Sequence, residues 1–163
     1  MRLDIRSATA ADLDGVLALH KAAAVVPGGL ARSPDEITAD YIEGAIGATI
    51  CLVAAADGVI AGEIHARRES PAIFDHVLGG LTVAVHPDWQ GQGVGSKLFA
   101  ALIAGARTLD PPILRIELAT GAGNLGAVRL YERLGFQHEG RQIARGRYPD
   151  GRLEDDILMG MLL

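Results

Sequence analysis

The sequence predicts an α+β domain: a mixed, mostly antiparallel sheet of six to seven strands, flanked by four helices, with one parallel crossover (81–85 to 113–119). Three observations predict it. Apolar runs of strand length, at 50–56, 59–67 and 76–85, follow one another with turn residues between them, as an antiparallel meander requires. A helix-spaced segment, 93–108, then separates the strand ending at Val85 from a strand at 113–119, and a strand–helix–strand connection in one sheet runs right-handed and parallel. Capping signals at Thr9 and Ser33 place two helices ahead of the meander.

Taken in order, Leu3 to Arg6 reads as a short first strand. Thr9-Ala10-Ala11-Asp12 opens a helix whose Leu13, Val16, Leu17 and His20 fall at helical spacing, and Pro27-Gly28-Gly29 breaks it after about Ala24. Ser33-Pro34-Asp35-Glu36 opens a second helix, continued by Tyr41, Ile42 and Ala45. Ile50 to Ala56 and Val59 to Arg67 form a hairpin about Asp57-Gly58. A loop from Glu69 to Phe74 leads to the strand His76–Val85. Val94, Leu98, Leu102 and Gly105 share a stripe, so helix 93–108 packs on the sheet until Asp110-Pro111-Pro112 ends it. The strand 113–119 alternates, with Ile113, Arg115 and Glu117 on one face and Leu114, Ile116 and Leu118 on the other. Asn124 caps a fourth helix that stops at Gly135, with Ala127, Leu130, Tyr131 and Leu134 on one face. Phe136–Ile143 and Asp156–Leu162 form the last antiparallel pair, with turn-rich Arg147 to Arg152 between them and Glu154-Asp155-Asp156 as a solvated acidic turn.

At 163 residues the chain reads as one domain, 1–163, large enough for a sizeable core. With 49% hydrophobic and 21% charged residues it suits a soluble globule, and it has no run of 18 apolar residues to span a membrane. The first six residues carry no apolar secretory segment, and the single cysteine, Cys51, cannot form an internal disulfide and reads as a buried structural thiol. A cytoplasmic protein is expected. The net charge of −5 argues against a nucleic-acid partner. The five histidines (20, 65, 76, 86 and 138) show no metal-ligand spacing, so no metal is expected. Trp89 is expected to pack over a sheet edge or to lie partly exposed.

The stretch Val83-Ala84-Val85-His86-Pro87-Asp88-Trp89-Gln90-Gly91-Gln92-Gly93-Val94-Gly95-Ser96 carries the chemistry. Strand, glycine loop and helix in succession present unpaired backbone N–H groups to an anion, and glycines let a phosphate approach the backbone. A phosphate-bearing ligand at 91–96 follows. The spacing is not that of a Walker A loop. A dinucleotide fingerprint is approached by Gly91, Gly93 and Ser96 with Glu117 beyond, but that fold wants repeated βα units, and only 81–119 resembles one. The third form, Gln90-x-x-Gly93-x-Gly95 after a V-x-V strand, resembles the pyrophosphate loop of the GNAT superfamily of acyl-CoA-dependent N-acyltransferases. Asn124-Leu125-Gly126-Ala127-Val128-Arg129-Leu130-Tyr131-Glu132-Arg133-Leu134-Gly135-Phe136 resembles that superfamily's N-x-x-A-x-x-[LF]-Y-x-x-x-G-F pattern. The resemblance covers residues 50–163 well and the first 50 more loosely.

The resemblance implies acetyl transfer from acetyl-CoA to a primary amine of a small molecule or peptide, by direct attack in a ternary complex. An alternative is a CoA-binding regulatory module of the same fold without acyl transfer. The implied cofactor residues are Val83, Ala84 and Val85 along the pantetheine arm, Gln90, Gly91, Gln92, Gly93, Val94, Gly95 and Ser96 at the pyrophosphate, and Asn124 and Tyr131. Tyr131 is the implied acid that protonates the CoA sulfur, and the Val83 N–H the implied oxyanion donor. Pro27 to Arg32 either line the substrate entrance or form an ordinary interhelical loop. A homodimer through the C-terminal strands is implied as well. No general base can be carried over, because the position of the Glu used by ribosomal-protein acetyltransferases is Ala119 here. Glu117, Glu63, His76 or a water chain are the alternatives, and a structural role competes with each.

Overall fold

The computed structural model describes residues 2–163. Its sheet grows from the Asp57-Gly58 turn. Both residues have positive φ, 50° and 81°, as a two-residue hairpin loop needs. The turn joins β2 (Ile50–Ala56) to β3 (Val59–Arg68), and β1 (Asp4–Ser7) adds antiparallel to the outer edge of β2. β4 (Val77–Val85) lies antiparallel on the other edge of β3. Then come α3 (Val94–Arg107), β5 (Arg115–Gly121), α4 (Leu125–Leu134) and the hairpin of β6 (Gln137–Arg147) with β7 (Leu153–Leu162), while α1 (Leu13–Ala24) and α2 (Ala39–Ile46) precede the meander. The seven strands lie in the order β1-β2-β3-β4-β5-β7-β6, and β4 with β5 is the one parallel pair.

Strand alternation sorts the core onto two faces. Ala54, Ile64 and Ala66 pack with Val94, Leu98, Phe99 and Leu102 of α3. Val53 packs with Val16 of α1 and Ile42 of α2, and Ala84 with Leu19 and Ala23 of α1. One face therefore belongs to α3 and α4, the other to α1 and α2.

Several local expectations are corrected. The Ser33 box forms, but it closes only a 3₁₀ turn, Pro34–Glu36, because Ile37 turns extended to bury its side chain. α2 restarts from a second cap, Thr38, whose hydroxyl accepts from the Tyr41 N–H at 3.2 Å. β5 begins at Arg115, two residues after the expected start, with Ile113 buried and Leu114 exposed. The last hairpin is longer than expected and takes the acidic triplet into β7. There Glu154 accepts from the Gly123 N–H at 2.9 Å and from the Tyr148 hydroxyl, and Asp155 pairs with Arg141 at 2.6 Å.

The start of α1 carries a testable electrostatic device. Asp12 accepts two hydrogen bonds from Arg6, at 2.8 and 2.7 Å, and one from the Thr9 N–H at 2.8 Å. The Arg6 bonds, helped by Thr9, hold its carboxyl well below the usual carboxylate range against the cost of burial. With the folded pKa depressed, the stabilisation is whole above the ordinary carboxylate range and is lost progressively as pH falls from there towards the depressed folded value. Asp12→Ala is expected to cost about 2 kcal/mol near neutral pH, since a cap and a charge-assisted pair go together. Thermal melts at neutral pH and in acid check this; the gap to wild type closes in acid.

Candidate active site

β4 and β5 run side by side for only two residue pairs, Val77↔Arg115 and Leu78↔Ile116. Beyond these they separate. Gly79 and Gly80 sit at the parting, Gly80 with φ of +54°, a backbone that bends β4 away from its neighbour. β5 turns to β7 instead, pairing with it over seven residues, Arg115 to Gly121. The β5-side edge of β4 from Leu81 to Val85 is left without a strand partner.

Which backbone groups face that edge follows from alternation. The His86 N–H donates to the Ala61 carbonyl on β3 at 2.9 Å. The N–H groups of Val85 and Val83, one and three residues back, therefore point the other way, into the parting. A cleft of about 390 Å³ opens where the parting begins, between Gly80 and Leu81 of β4 and Arg115, Glu117 and Ala119 of β5.

The loop after β4 delivers the next part. His86 Nδ1 accepts from the Asp88 N–H at 3.2 Å, Pro87–Trp89 makes one 3₁₀ turn, and Trp89 packs on the main core. The Gln92 side chain donates to the Asp88 carbonyl at 2.9 Å. Gly91 and Gly93 adopt φ of +72° and +78°, and a Cβ built on either meets nothing within 4 Å. Gly93 is the N-cap of α3, where no side chain caps the helix and no acidic residue stands in the first turn. A 14-residue helix thus points its free N–H groups and the positive end of its dipole at open space.

α4 closes the site from the other side. The Asn124 Oδ1 accepts from the Ala127 N–H at 3.2 Å, and its Nδ2 donates to the Gly28 carbonyl at 2.9 Å. The same residue caps α4 and ties down the α1–α2 segment, which brings Gly28 against the N-terminus of α4. Tyr131, 7% exposed, stands edge-on to Phe99 and Phe136, with ring centroids 5.6 and 5.9 Å away. Burial pushes its phenol up to about 12. The Leu130 side chain lies 3.7 Å from where a Gly95 Cβ would be, so α4 rests directly on the first turn of α3.

The candidate bases scatter. Glu117 lines the cleft but accepts from the Arg115 Nε at 3.1 Å, and Arg115 also pairs with Glu139 at 2.7 Å. His76 stands at the closed end, where its carbonyl accepts from the Leu114 and Arg115 N–H groups, roughly 20 Å of strand from Val83. Glu63 is fully buried under α1 and α2, with both oxygens taken up. His20 lies 2.7 Å from Oε2, His65 2.8 Å from Oε1, and the Cys51 thiol donates to Oε1 at 3.2 Å. Burial pushes the Glu63 carboxyl up, but the bonds from the two histidines outweigh it and hold it low. Burial also raises the Cys51 thiol, so that it stays protonated. Sequence reasoning weighed Glu63 as a base but His20 and His65 only for metal spacing, and so missed this cluster. The available signals were His20 on the buried stripe of α1 and His65 two residues from Glu63, hence on its face.

Residues 19–136 match the model of the acetyltransferase (GNAT) family, and the chain belongs to that family. Over 95 residues it is 41% identical to the [ribosomal protein bS18]-alanine N-acetyltransferase of Escherichia coli, covering 55% of this chain and 61% of that protein. Over 92 residues it is 34% identical to a mycothiol acetyltransferase of Brachybacterium faecium, covering 56% of this chain and 27% of that one. The chain thus spans less than two thirds of the length of these curated relatives. A GNAT-family acetyltransferase structure from Streptococcus pneumoniae superposes with a TM-score of 0.88 at 26% identity, covering 99% of this chain and all of that one.

Proposed function

We propose that the chain transfers an acetyl group from acetyl-CoA to a primary amine of a small molecule or peptide, by direct attack in a ternary complex. The observation that carries this reading is the parted strand pair. It leaves the Val83 and Val85 N–H groups unpaired, and it leads into a glycine loop whose helix N-terminus is bare. A pantetheine arm carries amides and can add to an open strand edge as another strand would. Its pyrophosphate then meets the N–H groups from Gly91 to Ser96, with Gln90 and Gln92 at the rim and Val94 and Gly95 forming the first turn beneath. Asn124 flanks the arm while it holds the 27–32 loop at the acceptor entrance.

The chemistry follows from the same placement. The amine nitrogen attacks the thioester carbon, and charge grows on the carbonyl oxygen, where the Val83 N–H donates. The carbon–sulfur bond breaks, and Tyr131, kept protonated by its burial, gives its proton to the sulfur. The relatives' names give an alanine of ribosomal protein bS18 in one case and mycothiol in the other, so the proposed acceptor class spans peptides and small molecules.

Calorimetric titration with acetyl-CoA, followed by thiol release in the presence of an Ala-initiated peptide or spermidine, tests the reading. Micromolar binding and turnover with either amine are expected. Absence of binding sinks the cofactor assignment. Binding without turnover would favour the CoA-binding module.

A further inference from the structure

The cluster under α1 and α2 has more order than a buried carboxylate requires. An ionised carboxylate only accepts hydrogen bonds, so His20 donates to Glu63 from Nε2 and His65 from Nδ1. That fixes the His65 tautomer. Its Nε2 is left with a free lone pair and no partner among the described residues. Nor is this nitrogen sealed in: the one buried side-chain nitrogen or oxygen without a partner, among the described residues, is His20 Nδ1. A carboxylate orienting an imidazole through Nδ1, with Nε2 free, is the arrangement of a general base.

Position agrees with chemistry. His65 pairs with Thr82 across β3 and β4, so their side chains stand on one face with Cβ atoms about 5 Å apart. Thr82 is half-buried and lies within the stretch of β4 whose far edge is unpaired. His65 is thus one strand from the parting, on the α1–α2 face, while Tyr131 packs on the α3–α4 face. The groups around His65 are few: His20 from α1, stacked at 6.3 Å, Tyr41 from α2 at 6.4 Å, Cys51 from β2 and Glu63 from its own strand. The Arg32 guanidinium covers the Tyr41 ring at 4.2 Å, and the charges of Asp12 and Arg67 reach Cys51 from farther off.

We infer that His65 is the general base of the proposed acetyl transfer, with Glu63 and His20 as its positioning residues; this role rests on the transferase reading. As the N–C bond forms, the amine proton passes to His65 Nε2. As the C–S bond breaks, the sulfur takes the proton of Tyr131, and both side chains reset through solvent. One amine proton is lost, one thiol proton is gained, and no redox partner is needed.

The test compares wild type, His65→Gln and Glu63→Gln in acetyl-CoA binding and in turnover of the Ala-initiated peptide and spermidine across pH. His65→Gln is expected to lower kcat about 100-fold at neutral pH, to flatten the acid limb of the profile, and to leave acetyl-CoA affinity within about twofold. Glu63→Gln is expected to lower kcat about tenfold at unchanged affinity. Nitrogen-15 NMR of wild type, which needs no variant to fold, should find the His65 proton on Nδ1 with Nε2 bare. Turnover by His65→Gln within about twofold of wild type, or a proton on Nε2 in the neutral ring, overturns the role of His65 alone. Binding without turnover of either amine by wild type overturns the transferase reading and this role with it.

Discussion

A Gly93→Glu variant is expected to lose at least about 100-fold in acetyl-CoA affinity, roughly 3 kcal/mol. A Cβ built on Gly93 meets nothing within 4 Å, so a side chain can leave the backbone there towards open space. That empty space is where the proposed pyrophosphate would lie. The carboxylate would occupy it, repel the phosphates, and engage the same helix N–H groups. A second effect must be separated from this one. Gly93 has φ of +78°, and any side chain there costs about 1–2 kcal/mol of backbone strain. Gly93→Asn is the control, because asparagine tolerates the left-handed region and carries no charge. Both variants should melt a few degrees below wild type. Only the glutamate should abolish binding in the calorimeter. If Gly93→Glu binds acetyl-CoA within a few-fold of Gly93→Asn, the phosphates lie elsewhere.

What the sequence made legible was short in range. The Asp57-Gly58 turn, the Thr9 box, the Asn124 cap and the glycine loop are local backbone demands, and each forms where its residues stand. The parallel relation of β4 to β5 was also legible, from the rule of handedness. How far the two strands stay paired was not. That depends on Gly80 bending β4 and on β7 competing for β5, which are long-range facts. Ser33 failed for a related reason: a good cap starts a turn, but burying Ile37 decided that the turn stops. The acidic triplet read as solvent-facing because its partners, Gly123, Arg141 and Tyr148, come from three other segments.

The candidate site divides along the same line. Tyr131 and the glycine loop were legible because each belongs to one continuous segment. The proposed base cluster was not, because its members come from α1, β2 and β3. Glu63 alone in sequence is an acid in an apolar strand. With His20 and His65 it becomes an ionised group aimed at an imidazole. On the proposed reading, the two proton transfers lie on opposite faces of the sheet. Tyr131 stands with α3 and α4, and the cluster with α1 and α2, so the strand edge between them is reached from both sides.

Tyr131→Phe is expected to lower kcat by about 10²- to 10³-fold while leaving acetyl-CoA affinity and the melting temperature near wild type. The ring contributes packing, edge-on to Phe99 and Phe136, and phenylalanine keeps it. The hydroxyl makes no hydrogen bond to a described residue, so its removal strands no buried partner. The loss should therefore fall on the chemical step alone. Stopped-flow detection of thiol release, beside calorimetry, separates the two. The phenol also predicts an alkaline signature. Burial raises it from 10.0 to about 12, so the folded state holds a proton that the unfolded state gives up first. The sign is fixed by that: stability is whole below about pH 10 and declines as pH rises towards about 12, by about 2–3 kcal/mol in all. Tyr131→Phe lacks this term, so in alkaline melts the variant should outlast wild type although it is far the slower enzyme. Equal alkaline melting would mean that the hydroxyl is already hydrated in the folded protein. A kcat within a few-fold of wild type would remove Tyr131 as the acid and leave the thiolate to depart unprotonated.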